Sequence, residues 1–226
     1  MVPKSVNTHF NENLHTVAMV DVRLPPFSKI LSSSPELATA LSILFEPSPI
    51  LSSTLVPQLS STLTQEPLIT SYVELIDLAI KTINTWDDEL RAQFVAGHPR
   101  IGESHNLSNL SAMEQGASTS TTGATPPDVL RRLSHLNACY EQAYPGLRYI
   151  TFVNGRGRAA IAEEIEDVLG IEHSLEDEEP PLEMFEAYDV EGDRWKDQLD
   201  RATEDVGRIA KNRLNTLEVE EENNHL

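Results

Sequence analysis

A single cysteine, Cys139, in a chain of 226 residues leaves nothing for an internal disulfide to form with. The fold must therefore be held by packing, and this usage fits a reducing compartment. Cys139 falls among apolar neighbours in a helical pattern, where a thiol acts as a small core residue, and it is given no chemical role. Neither HExxH nor CxxC occurs, and His9, His15, His105, His135, His173 and His225 lack ligand spacing, so no metal site is expected. No window approaches eighteen uninterrupted apolar residues, which predicts a soluble chain with no membrane span. The start, MVPKSVNTHFNENLH, has no apolar stretch behind a basic head and does not read as a secretory signal. Positive charge is scarce: 17 Lys and Arg stand against 36 Asp and Glu, a formal net charge of −19. A nucleic-acid partner is disfavoured, because phosphate contacts need clustered basic side chains. Most of the acidic residues lie between Glu163 and Glu222, and the plain reading of them is a solvated surface. No Walker A loop appears. The run Asn154-Gly155-Arg156-Gly157-Arg158 lacks the third glycine and the βαβ context of a dinucleotide site, although a small anion could sit near the helix it precedes. No internal repeat is present, which argues against a solenoid.

What the chain does have is a succession of short helical patterns broken by proline. Residues 1 to 23 show no period and read as a loosely packed lead-in. A helix is expected after Ser34, as its cap, with Pro35 in its first turn, ending at Glu46-Pro47-Ser48-Pro49. Leu51 to Leu63 reads as another, interrupted or bent near Pro57. In SYVELIDLAIKTINTW, Val73, Ile76, Ile80 and Ile83 recur at helical spacing opposite Glu74, Asp77 and Lys81. DDELRAQFVAG ends at Gly97, and HPRIGES follows directly. Ser111 stands three residues before Glu114 as in a capping box, and Ser118 to Thr125 reads as a flexible connection. The helix from Pro126-Pro127 carries Leu130, Leu133, Asn137, Tyr140 and Tyr144 on one face and stops at Pro145-Gly146. LRYITFVNGRGR is β-like but solitary, so it is expected to run extended through a helical domain. Helices are then expected over 158–169 and in GDRWKDQLDRATEDVGRIAKNRLNTL, separated by an acidic, proline-containing surface insertion around 172–188. The prediction is one all-α helical bundle over 24–217 with one short extended segment and an acidic tail over 218–226.

Three residues could do chemistry, and each has a bland alternative. His98 follows a helix stop on a loop stiffened by Pro99, where an ordinary pKa near 6.5 suits proton transfer. A lone histidine there is more often a capping or surface residue. Glu114 could be a functional carboxylate or merely the reciprocal partner of Ser111 in a capping box. The stripe Trp195, Leu199, Ala202, Val206, Ile209 runs on to Arg213. A guanidinium on a core face needs an anion beside it, unless the helix has left the core and the side chain reaches outward.

In order, these pieces resemble one family. His98-Pro99 with Ile101-Gly102, Ser111-x-x-Glu114-Gln115, Leu136-Asn137-x-x-Tyr140, the segment Tyr149 to Arg156 and Val206-x-x-Ile209-x-x-x-Arg213-Leu214 are similar to the signatures of the 2-oxo-4-hydroxy-4-carboxy-5-ureidoimidazoline (OHCU) decarboxylases. The resemblance covers roughly residues 24 to 217. It departs at Arg100, where many members carry an acidic or small residue, and in the longer, more acidic stretch from Glu172 to Tyr188.

The resemblance implies an all-α bundle, usually a homodimer, that needs neither metal nor organic cofactor and acts on a small-molecule ureidoimidazoline in urate degradation, giving (S)-allantoin. It implies that His98, Glu114 and Arg213 are catalytic. Substrate contacts would fall to Pro99, Ser111, Ala112, Met113, Gln115, Thr151, Phe152, Val153, Asn154 and Gly155. The competing expectation is a non-catalytic helical interaction protein that works through its acidic surface. Asn224-His225-Leu226 only partly matches a peroxisomal address, which leaves peroxisome and cytosol as the expected compartments.

Overall fold

A computed structural model describes residues 22–65, 69–103, 108, 110–111, 125–173 and 179–219. The expectations for Ser118 to Thr125, apart from Thr125 itself, for the acidic tail beyond 219 and for the lead-in before 22 fall outside them. Within the described residues the chain is an all-α domain, as the helical periods predict, with helices α1 (Phe27–Ile30), α2 (Ser34–Phe45), α3 (Val56–Gln65), α4 (Tyr72–Ile83), α5 (Asp88–Val95), α6 (Pro127–Ala143), α7 (Arg158–Leu169) and α8 (Asp193–Leu214). None of these helices is long and apolar enough to cross a membrane.

Local chemistry sets the helix ends. The cap of α2 is Ser33, one residue earlier than expected, and its hydroxyl accepts from the Glu36 amide; Ser34 is already helical, with Pro35 beside it. Ser71 and Asp87 cap α4 and α5 in the same way. Of the interruption or bend expected near Pro57, the structure shows an interruption. A π-helical turn over Leu51–Leu55 leads into α3, so the proline lies in the first turn of the new helix, where its missing amide costs little. Gly170 ends α7 in the left-handed conformation.

α8 is the axis of the domain, packed against α2, α4 and α5, while α6 and α7 form a second pair beside it. Its buried face is Trp195, Leu199, Ala202, Val206 and Ala210, close to the stripe read from the sequence, and Gly207 lets α4 approach so closely that an added Cβ would lie 3.0 Å from Ile80. The α4 face is rotated from the expected one. Tyr72, Leu75, Ile76, Ala79 and Ile83 are buried, and Val73 is 45% exposed, because the stripe i, i+3, i+4, i+7 from Tyr72 is wider than the one counted from Val73. A buried ion pair, Arg132 to Glu166 at 2.8 Å, joins α6 to α7.

The ends of the described chain meet. Arg23–Leu24 (β1) pairs in parallel with Glu218–Val219 (β2), and Leu24 is fully buried. Two residues per strand carry no alternation for sequence to reveal. Of the β-like stretch Leu147 to Arg158, residues 147–157 join no sheet among the described residues and run past α7 and α8, and Arg158 already opens α7.

Candidate active site

The loop that carries His98 is held at both ends. Its N-terminal side is the last turn of α5, where the Gly97 and His98 amides donate to the Phe94 and Val95 carbonyls at 3.1 and 3.0 Å. Gly97 is pressed against the α2–α3 connection: a Cβ there would sit 2.9 Å from the Ser48 Cβ and 3.1 Å from the Phe94 carbonyl oxygen. Gly97→Ala is therefore expected to shift the His98 loop and cost about 1–3 kcal/mol, the usual range for overpacking; urea unfolding together with turnover measures both effects. Beyond Pro99, the Asn137 amide on α6 donates to the Ile101 carbonyl at 3.0 Å, and the Arg148 guanidinium donates to that of His98 at 2.8 Å. Asn137, read from the sequence as part of a helix face, is thus a clamp on this loop. Arg100 turns away, its guanidinium forked onto Glu141 at 2.6 and 2.9 Å.

The extended segment forms the facing wall. With no neighbouring strand among the described residues, it is fixed by side chains. Glu164 on α7 accepts from Tyr149, Thr151 and Arg156, and Arg156 also donates to the Phe152 carbonyl. Arg201 on α8 donates to the Ile150 carbonyl at 2.7 Å and lies over the Tyr149 ring. Asn154 and Gly155, both at positive φ, turn the chain back towards α7.

Between these walls lies a cavity of about 310 Å³. His98, Pro99, Ser111, Thr151, Phe152, Val153, Asn154, Gly155 and Arg213 all line it, so the structure brings together nine of the residues singled out from the sequence. Glu114, Ala112, Met113 and Gln115 lie outside the described residues. Ile101, Leu110 and Ile209 add apolar surface, and Asn212 and Thr216 stand on the same wall as Arg213. The volume suits a compact heterocycle.

His98 is 3% exposed, and neither ring nitrogen has a hydrogen-bond partner among the described residues. Its ring meets Phe94 edge-on at 5.7 Å. Burial, with the Arg213 charge adding to it and Glu46 partly opposing it, pulls the imidazole down from 6.5 to about 4, so it is neutral around pH 7. Two results are expected. If neutral His98 is required, the acid limb of kcat/KM falls near pH 4, well below the ordinary histidine range. Unfolding releases this ring to titrate normally, so the folded state loses stability as pH drops from about 6.5 towards 4 and not above that window. That loss is on the order of 3 kcal/mol, and pH-dependent urea melts of wild type and His98→Gln isolate it.

Arg213 stays in the core to the end of α8, 2% exposed. One arm donates to the Ile43 and Leu44 carbonyls at 3.2 and 3.3 Å, the other to the Glu46 carboxylate at 2.6 Å and the Ser111 hydroxyl at 2.9 Å. The carbonyl contacts have a local cause: residue 47, which would ordinarily donate to Ile43 four residues back, is proline. The anion demanded by a buried guanidinium is Glu46, from 167 residues away in the chain. Sequence reading missed it, since Glu46 appeared only as part of a proline-rich helix break. Ser111 is not the cap that a capping box requires. Leu110 and Ser111 are already helical, the Ser111 amide donates to the Ser108 hydroxyl at 3.1 Å in the manner of an N-cap, and the Ser111 hydroxyl is turned onto Glu46. Burial works to raise the Glu46 carboxyl, but Arg213 and the Ser111 and Ser108 hydroxyls outweigh it and hold it below the usual carboxylate range. Cys139 is fully buried, and burial raises its thiol to about 11, which leaves it no nucleophile.

The model of the OHCU decarboxylase family matches residues 32–186, which is most of the chain and contains the His98 loop, Ser111 and the extended wall. The chain belongs to the OHCU decarboxylase family. That membership makes it a decarboxylase, a carboxy-lyase of urate degradation that takes a small-molecule substrate. Arg213 lies beyond the matched span and reaches the site from the C-terminal helix. A comparison with curated proteins finds no match.

Proposed function

We propose that the protein converts 2-oxo-4-hydroxy-4-carboxy-5-ureidoimidazoline to (S)-allantoin without a cofactor, with His98, Glu114 and Arg213 as its catalytic residues. The observation that carries this reading is His98: a buried imidazole at the cavity wall whose ring nitrogens have no hydrogen-bond partner among the described residues, in a pocket where Arg213 is the one charged side chain among the described lining residues. An unpaired polar group in an apolar wall is costly unless a ligand satisfies it.

The chemistry needs what these residues offer. The substrate bears a carboxylate and a hydroxyl on one ring carbon, beside a ring C=N. When the bond to the carboxylate breaks, its electron pair forms a double bond to the neighbouring carbon, and the imine nitrogen takes the displaced pair and a proton from solvent water. The electron sink belongs to the substrate. The resulting enol then loses its hydroxyl proton and gains one on the neighbouring carbon, which creates the chiral centre. A neutral imidazole accepts the first proton and returns one to a single face. Arg213 and Ser111 offer donors to the carboxylate or ring carbonyl, Glu114 would hold the hydroxyl or ureido group, and Pro99, Ala112, Met113, Gln115 and residues 151–155 would fix the ring and ureido amides.

The test supplies freshly generated substrate and follows CO2 release and the circular dichroism of allantoin. Production of (S)-allantoin far above the buffer rate supports the assignment; a rate equal to buffer removes it. A protein that only captures partners through an acidic face would also show no thermal stabilisation by allantoin, whereas a formed pocket gives stabilisation that grows with ligand concentration.

A further inference from the structure

Glu46 occupies a backbone conformation that its residue type avoids. Its φ of 71° and ψ of 138° lie in a strained region open mainly to glycine. Pro47 accounts for part of this, since the residue before proline is driven to an extended ψ. Nothing in the turn itself requires a glutamate. The side chain supplies the reason: 5% exposed, it reaches the Arg213 guanidinium at 2.6 Å, the Ser108 hydroxyl at 2.7 Å and the Ser111 hydroxyl. Arg213 and Ser111 both face the cavity, while Glu46 lies behind them.

Arg213 brings the one formal charge among the described lining residues, and Glu46 cancels it from the rear. An anionic substrate therefore meets a guanidinium whose direction is fixed but whose charge is already compensated. The reaction carries the carboxylate's charge away from its own carbon and into the ring as CO2 departs. An uncompensated cation would hold the localised carboxylate of the ground state more strongly than the dispersed charge of the transition state, and binding of that kind slows turnover.

We propose that Glu46 is a positioning residue of this active site, which orients Arg213 and Ser111 from behind the cavity wall and balances the Arg213 charge so that the substrate carboxylate is bound without being trapped. The inference rests on the decarboxylase reading above. It makes Glu46 necessary for turnover although no substrate atom need touch it.

The experiment compares wild type, Glu46→Gln and Glu46→Asp in the coupled circular-dichroism assay, with active-site concentration corrected for the folded fraction from far-ultraviolet spectra and melts. Glu46→Gln keeps the shape and removes the charge, so kcat is expected to fall at least tenfold while KM also falls, about threefold or more. A merely structural role would lower the folded fraction and leave both constants of the folded enzyme in place. Any other pattern for this variant, including unchanged or raised KM, overturns the proposal. Should Glu46→Gln not fold, Glu46→Asp decides: it keeps the charge but is too short to reach both partners, so kcat falls at least tenfold with KM within twofold of wild type, and retained kcat or a larger change of KM overturns the inference. Inactive wild type sinks the functional reading and this inference with it. Active wild type with unaltered variants sinks the inference alone.

Discussion

His98→Gln is expected to lower kcat by roughly 10²–10⁴, the usual worth of a positioned proton-transfer group, while KM changes far less. Glutamine fills much of the same space and forms hydrogen bonds, but it cannot take a proton from an enol and hand one back. The fold should survive. The His98 ring nitrogens make no hydrogen bond among the described residues, so the substitution breaks none of the contacts that hold the loop, which run through its backbone carbonyl to Arg148 and through Ile101 to Asn137. The melting temperature near pH 7 should stay within a few degrees of wild type. Near pH 5 the variant should be the more stable of the two, because the wild-type ring resists a proton in the fold that it accepts in the unfolded chain. Retention of more than about a tenth of the wild-type kcat would remove His98 from the proton-transfer role.

Arg213→Met carries the largest expected effect on stability. The guanidinium bonds two carbonyls at the end of α2, the Glu46 carboxylate and the Ser111 hydroxyl, all within a buried site. Methionine fills the volume and supplies no donor, which strands a buried carboxylate. Breaking such a pair from one side costs about 3–5 kcal/mol. In a chain of this length that corresponds to a fall of roughly 10 °C in melting temperature. The double variant Glu46→Gln, Arg213→Met should recover part of the loss, since no lone charge remains buried. A single variant that melts within 2–3 °C of wild type would mean that the pair is not held as described. Activity should fall in both variants, because Ser111 and the end of α2 lose their common anchor.

His98 and Arg213 differ in how they could be found. Histidine after a glycine stop and before proline is visible along the chain, because local backbone chemistry makes that loop rigid wherever it lies. Arg213 showed itself through period alone, as the next step of an apolar stripe, and that argument offered a buried anion as one of two readings without being able to name it. The partner could not be named because Glu46 has no local signature: it sits in a run that reads as a helix break, and its role exists only where the end of α2 meets the last turn of α8. The same limit explains Ser111. Its spacing to Glu114 fits a capping box, yet packing gives the cap to Ser108 and turns the Ser111 hydroxyl onto Glu46.

The helical character of the domain, the positions of most helices, the solitary extended segment and the histidine loop were determined by the sequence by itself, since these depend on period, capping and proline within a few residues. Tertiary structure alone decided which face of α4 is buried, that Arg23–Leu24 and Glu218–Val219 pair, and that Asn137, Glu164 and Glu46 hold the walls of the cavity. Each of those depends on residues brought together from distant parts of the chain. A buried charge is stable only beside its partner, and the partner is chosen by the packing of helices, which no local pattern encodes.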